Sequence, residues 1–116
     1  MTRGKVVLVA FPFDDLSSSK VRPAVCLTEP MGPHRHVVLA FISSQVPESL
    51  LPTDIVLDAA SPGFPSTGLR VTSTLSLHRL MTISTAVIRR DLGTLPPEIQ
   101  LQVTQRLHML FCQPVG

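Results

Sequence analysis

Lys5-Val6-Val7-Leu8-Val9-Ala10-Phe11, then Pro12-Phe13, then Asp14-Asp15-Leu16-Ser17-Ser18-Ser19-Lys20, then Val21-Arg22-Pro23-Ala24-Val25-Cys26-Leu27-Thr28: this stretch decides the fold. Residues 5–11 are almost continuously apolar and rich in β-branched side chains, the pattern of a buried strand. Pro12 ends it, and residues 14–20 form a polar loop without periodicity. Val21–Thr28 reads as a second strand. Pro23 has no N–H for a ladder, so the start of that strand belongs at an edge or a bulge.

The same pattern continues outward. Pro30, Gly32 and Pro33 make a turn, and His36–Ser43 is a third apolar strand. A loop broken by Pro47 and Pro52 leads to a fourth strand at Thr53–Asp58, and residues 61–68 form a Pro/Gly/Ser loop. Between Leu69 and Ile83, Val71, Ser73, Leu75 and Leu77 alternate with polar residues as in a half-buried strand. A helical turn at Thr85–Ile88 and a brief strand at Arg90–Thr94 follow. Pro96-Pro97-Glu98 opens a helix through about Phe111, because proline is tolerated in the first turn and Glu98 meets the positive end of the dipole. Ile99, Val103, Leu107 and Leu110 give that helix one buried face. Five or six short strands and one terminal helix predict an α+β chain, mainly β, built on a small, strongly bent sheet or barrel.

Composition bounds the function. The 116 residues are the size of one domain and, at 44% hydrophobic, can bury a core. Charged residues are only 16% and the net charge is +2, too mild to identify a nucleic-acid partner. Arginine supplies eight of the ten basic residues, and its planar fork suits phosphate. Trp and Tyr are absent, so a stacking platform for bases would have to come from five Phe. Two cysteines make no disulfide framework and read as buried thiols of a reducing cytosol. Residues 5–13 are too short to span a bilayer. A cytoplasmic protein is expected, with no membrane association.

No P-loop, dinucleotide fingerprint, metal-type Cys/His spacing or nucleophile elbow is present. His34 and His36 lack a third ligand nearby and read as a solvated pair, while His78 and His108 read as core-edge or surface residues. Cys26 reads as inert. Arg22 stands out. It joins a serine-rich loop to an apolar strand and Pro23 holds it extended, so it is either placed to meet an anion or is a surface arginine paired with a nearby Asp. Ser43-Ser44-Gln45 ends the third strand in hydroxyls and an amide, which is either plain strand termination or a set of hydrogen-bonding groups facing a ligand.

Several segments together resemble MazF/PemK-type toxins of type II toxin–antitoxin systems. They are Arg3-Gly4-Lys5-Val6-Val7, Phe11-Pro12-Phe13-Asp14-Asp15-Leu16 with Ser19-Lys20, Arg22-Pro23-Ala24-Val25, and Phe41-Ile42-Ser43-Ser44-Gln45. Leu51-Pro52-Thr53, Ile55–Asp58, Gly68-Leu69, Leu80-Met81-Thr82-Ile83 and Leu92-Gly93-Thr94-Leu95 follow in family order. The resemblance implies an SH3-like (PemK-like) β-barrel of five to seven strands with a C-terminal helix, over a single domain at 1–116. It also implies a homodimer that cleaves single-stranded RNA without metal or cofactor, leaves a 2′,3′-cyclic phosphate, and is neutralised by a cognate antitoxin. Arg22 matches the arginine of the family's Arg-Pro motif, and Ser43 the hydroxyl residue ending its third strand. Gln45 matches a polar position beside it, and Ser44, Ser17, Ser19 and Lys20 are further candidates for substrate contact. The acid that many members carry after the first glycine is Lys5 here, and their loop glutamate is Ser17. Asp14 or Asp15 is then the candidate base. Two alternatives on the same fold are a non-catalytic binding module and a gyrase poison.

Overall fold

The computed structural model describes residues 1–11 and 20–112, with Phe11 and Lys20 described by their backbone alone. Six strands form one antiparallel sheet: β1 (Lys5–Phe11), β2 (Lys20–Cys26), β3 (His36–Ser43), β4 (Asp54–Leu57), β5 (Ser73–Ser84) and β6 (Ile88–Thr94). Their spatial order is β4-β5-β3-β2-β1-β6. One helix, α1 (Pro97–Phe111), ends the described chain, and 3-10 turns occupy Phe64–Thr67 and Thr85–Val87. The mainly β architecture with a C-terminal helix is as expected. It is a curled sheet with β4 and β6 as its edges rather than a closed ring.

The apolar runs have a direct cause. Successive side chains on a strand face opposite ways, and here both faces are covered. Val6, Val25, Ala40 and Ile42 join the core that carries Leu75, Leu77, Leu95 and Val103 of α1. Their strand neighbours Val7, Val9, Ala24, Cys26, Val37 and Leu39 pack into a second core with Ile83. Alternation with polar residues would leave one face wet.

β5 supplies the bend. Leu80–Ser84 pair with the first half of β3, and Thr74–Ser76 with its last three residues, Ser43 to Phe41. The register jumps between Ala40 and Phe41, so Leu77, His78 and Arg79 bulge out of the ladder. Leu77 is fully buried, and its N–H donates to the Thr53 carbonyl at 2.9 Å. A bulge of this kind sharpens the local twist and re-aims the strand.

Helix α1 packs through three residues of the expected stripe, with Val103 buried and Ile99 and Leu107 against the first core, while Leu110 joins neither core. The Arg106 guanidinium Nη1 donates to the carbonyls of Pro52 (2.7 Å) and Asp54 (3.2 Å), tying the helix to the entry of β4.

Several boundaries differ from expectation. β2 begins at Lys20 and ends at Cys26, β4 is trimmed to four residues, and β6 starts two residues earlier at Ile88. Val71 lies outside β5 and is exposed, while Ser73 and Thr74 are buried beside Leu75, so the start of β5 is covered on both faces rather than half-buried. The Pro/Gly/Ser loop contains the 3-10 turn at Phe64–Thr67, which docks on β6. Gly68 turns with a φ of +73°, and a Cβ there would lie 2.1 Å from the Leu92 carbonyl oxygen. A Cβ on Gly93 would lie 2.2 Å from the Ser66 carbonyl oxygen. The two glycines therefore let two backbones touch, a contact no other residue allows. Among the described residues no helix is long and apolar enough to cross a membrane.

Candidate functional site

β2 and β3 are paired for only three residues, Ala24 to Cys26 against Phe41 to Leu39. Beyond Ala24 and Phe41 they part. Lys20–Pro23 continue alongside β1, while Ile42 and Ser43 stay paired with β5. The start of β2 is thus a local edge, as Pro23 requires.

The opening is a cleft of about 580 Å³, lined by Val21, Arg22 and Pro23 on one side and by Ile42, Ser43, Ser44 and Gln45 on the other. Leu69, Arg70, Val71 and Ser73 form a third wall. The volume lies within the ~300–1,000 Å³ usual for ligand sites. No Asp or Glu and no aromatic ring is among its described lining residues.

The end of β3 is held by one hydroxyl of its own and one from β5. Ser43 Oγ accepts a hydrogen bond from the Gln45 N–H at 3.1 Å, and the Gln45 carbonyl accepts one from Thr74 Oγ1 at 2.9 Å. Because Ser43 Oγ is used there as an acceptor, its own hydrogen remains able to donate. Arg22 is exposed at the mouth of the cleft. The arrangement can meet a phosphodiester with a planar cation from one strand and a hydroxyl donor from the next.

Of the residues expected to form a site, Arg22, Ser43, Ser44 and Gln45 are brought together. Asp14, Asp15, Ser17 and Ser19 lie outside the described residues, as does the side chain of Lys20. Arg70 was missed by the sequence reading. It follows a Pro/Gly/Ser loop and precedes a strand, the same setting that singled out Arg22, and only the fold carries it to the cleft.

A second hollow of about 340 Å³ shares Ser43 and Gln45 and continues past Thr74 and Ser76 to His78 and Arg79. His78 Nδ1 and Thr53 Oγ1 lie 2.9 Å apart, and the Arg79 guanidinium sits 6.0 Å from the centre of the Phe41 ring.

The remaining candidates have structural surroundings. Burial pushes the Cys26 thiol up to about 11, which keeps it protonated and unreactive. Cys112, expected to be buried, is exposed one residue past α1. His34 and His36 are exposed with ring centroids 5.9 Å apart. His78 and His108 are exposed as well. Lys5 pairs with Asp91 at 2.8 Å on the surface, and that hydrogen bond raises the lysine pKa. The Glu29 carboxylate accepts the backbone N–H groups of Thr2 and Arg3, which hold it below the usual range. Among the described residues no cluster of three or more His, Cys, Asp or Glu is arranged to hold a metal ion.

The sequence model of the PemK-like, MazF-like toxins of type II toxin–antitoxin systems matches residues 2–111. Among solved structures, the MazF-mt6 toxin of Mycobacterium tuberculosis superposes with a TM-score of 0.69 at 21% identity, covering 96% of this chain and 99% of that one. A mycobacterial endoribonuclease in complex with its cognate antitoxin gives 0.66 at 16% identity, covering 100% and 99%. A MazE–MazF structure from Deinococcus radiodurans gives 0.73 at 15% identity, covering 98% and 97%. At these identities the superpositions speak for the fold. No curated protein matches the chain by sequence. With the family match spanning nearly the whole chain, the protein belongs to the PemK-like, MazF-like toxin family of type II toxin–antitoxin systems.

Proposed function

We propose that the protein is a metal-independent endoribonuclease that cuts single-stranded RNA in the β2–β3 cleft, with Arg22 and Ser43 as its catalytic residues. The observation that carries this reading is the early end of the β2–β3 ladder, which leaves a guanidinium and a hydroxyl lining one cleft. The substrate supplies the nucleophile. Its 2′-oxygen loses a proton and attacks phosphorus, the bond to the 5′-oxygen breaks, and that oxygen takes up a proton. The products are a 2′,3′-cyclic phosphate and a 5′-hydroxyl. Arg22 and Ser43 donate to the phosphate oxygens on which charge grows, a stabilisation worth about 3–4 kcal/mol per well-placed donor. Asp14 or Asp15, in the polar stretch of sequence that precedes Arg22, is the base in this reading. Ser44 and Gln45 contact the substrate from the end of β3, and Ser17, Ser19 and Lys20 are further contacts in this reading.

A cognate antitoxin and a second copy of the chain are the proposed protein partners. The antitoxin-bound neighbours support the first. Leu101, Met109 and Phe111, exposed by 59–67% on α1, offer apolar area for a protein contact.

Incubating the purified protein with single-stranded RNA in EDTA, and mapping the product ends, tests the reading. Cleavage with cyclic-phosphate ends is expected, and Arg22→Ala should abolish it together with growth arrest while the circular dichroism spectrum is unchanged. A fully toxic Arg22→Ala variant overturns the mechanism. RNA binding without cleavage points to a non-catalytic module, and gyrase-dependent DNA breakage to a gyrase poison.

A further inference from the structure

We infer that Arg70 is a second phosphate-binding residue of the cleft, gripping a backbone phosphate next to the one held by Arg22. This rests on the ribonuclease reading of the same site and concerns how tightly the strand is held, not how fast it is cut.

The backbone around Arg70 is pinned on both sides. The buried Thr67 accepts the Leu69 N–H on its Oγ1 at 3.1 Å, and the same hydroxyl donates to the Phe64 carbonyl at 2.7 Å. Beyond Arg70, the Ser73 hydroxyl donates to the Val71 carbonyl at 2.8 Å. The side chain itself is exposed and lines the cleft. Among the described residues it makes no hydrogen bond or ion pair, whereas Arg3 bonds Thr104 and Arg106 bonds two carbonyls. A fixed backbone with an unengaged guanidinium is a cation held ready for a ligand.

The lining selects the ligand's backbone over its bases. With no aromatic ring among them, the described lining residues offer no stacking surface. With no carboxylate among the described lining residues either, none of them offsets the charge of Arg70. These residues then hold a single-stranded nucleic acid largely through its phosphates, and each contact made releases counterions. One scissile phosphate needs one fork, so a second arginine on a separate wall has the neighbouring phosphate as its partner.

The test is the salt dependence of binding to an all-deoxy oligonucleotide, which the protein cannot cleave for want of a 2′-hydroxyl, with kcat and KM measured in parallel on the matching RNA. Arg70→Ala should weaken binding about tenfold, the loss of one charge-assisted contact. It should also flatten the slope of log K against log[salt] by about 0.7, raise KM, and leave kcat within about threefold. Arg70→Lys should restore the slope while recovering only part of the affinity. The inference is overturned if Arg70→Ala leaves affinity and slope unchanged, or lowers kcat at constant KM. If the wild type binds the oligonucleotide but cuts no RNA, the ribonuclease reading falls and a flattened slope still supports Arg70 as the phosphate contact. If the wild type binds no single strand, both fall.

Discussion

Arg22 and Ser43 occupy the positions that would face each other if the β2–β3 ladder ran two residues beyond Ala24 and Phe41, and the ladder stops before reaching them. The hydrogen bonds of a regular strand pair are given up at this point. Pro23 contributes no N–H to that ladder, β1 keeps the start of β2, and β5 keeps the end of β3. The cleft is therefore a defect in strand pairing whose two lips carry a cation and a hydroxyl.

Substitutions on the two lips should have separable effects. Arg22→Lys keeps the charge but loses the planar fork, so its cleavage rate should fall between that of wild type and Arg22→Ala. Ser43→Ala removes the donor and should lower kcat on an RNA oligonucleotide about 100-fold. Ser43→Thr keeps the hydroxyl and should retain most of the rate. Equal rates for Ser43→Ala and wild type would remove Ser43 from the mechanism.

The contact between Phe64–Thr67 and β6 should tolerate no side chain at Gly93. A methyl group there meets backbone, not a side-chain tip that can move aside. The overpacking cost is about 1–3 kcal/mol, so Gly93→Ala should lower Tm by roughly 5–15 °C. Gly68→Ala should cost more, because its positive φ adds strain to the same kind of clash. A Tm within 1–2 °C of wild type for either variant, about the shift of a neutral surface change, would mean that the two backbones are further apart.

The two thiols should behave oppositely. In the native protein a thiol reagent at pH 8 should label one site per chain, Cys112, and in denaturant two. The unfolded chain sheds the Cys26 proton near its ordinary value of 9.0, and the folded chain only near 11. Between those values the folded state holds more protons, so the stability linked to Cys26 is whole below pH 9 and declines as pH rises toward 11. Lys5, also raised, acts in the same direction. Denaturation midpoints from pH 8 to 11 should fall more steeply for wild type than for Cys26→Ala, and parallel curves would refute the assignment.

The sequence by itself determined the elements whose cause is local. Val6 and Val7 face different cores, as do Val25 and Cys26, and covering both faces is what wrote unbroken apolar runs into β1, β2 and β3. Pro97 at the first helical position, with Ile99, Val103 and Leu107 at helical spacing, made α1 legible to within a residue of its start. Arg22 and Ser43 were readable because each marks an abrupt junction between a polar segment and an apolar strand. Only the tertiary structure decided where the β2–β3 ladder ends, since that depends on β1 and β5 competing for the same two strands. It alone set the 3-10 turn at Phe64–Thr67 against β6, where Gly68 and Gly93, 25 positions apart in the chain, must both lack a Cβ. Arg70 shares with Arg22 a setting between a polar loop and a strand, but only the fold carries it to the cleft.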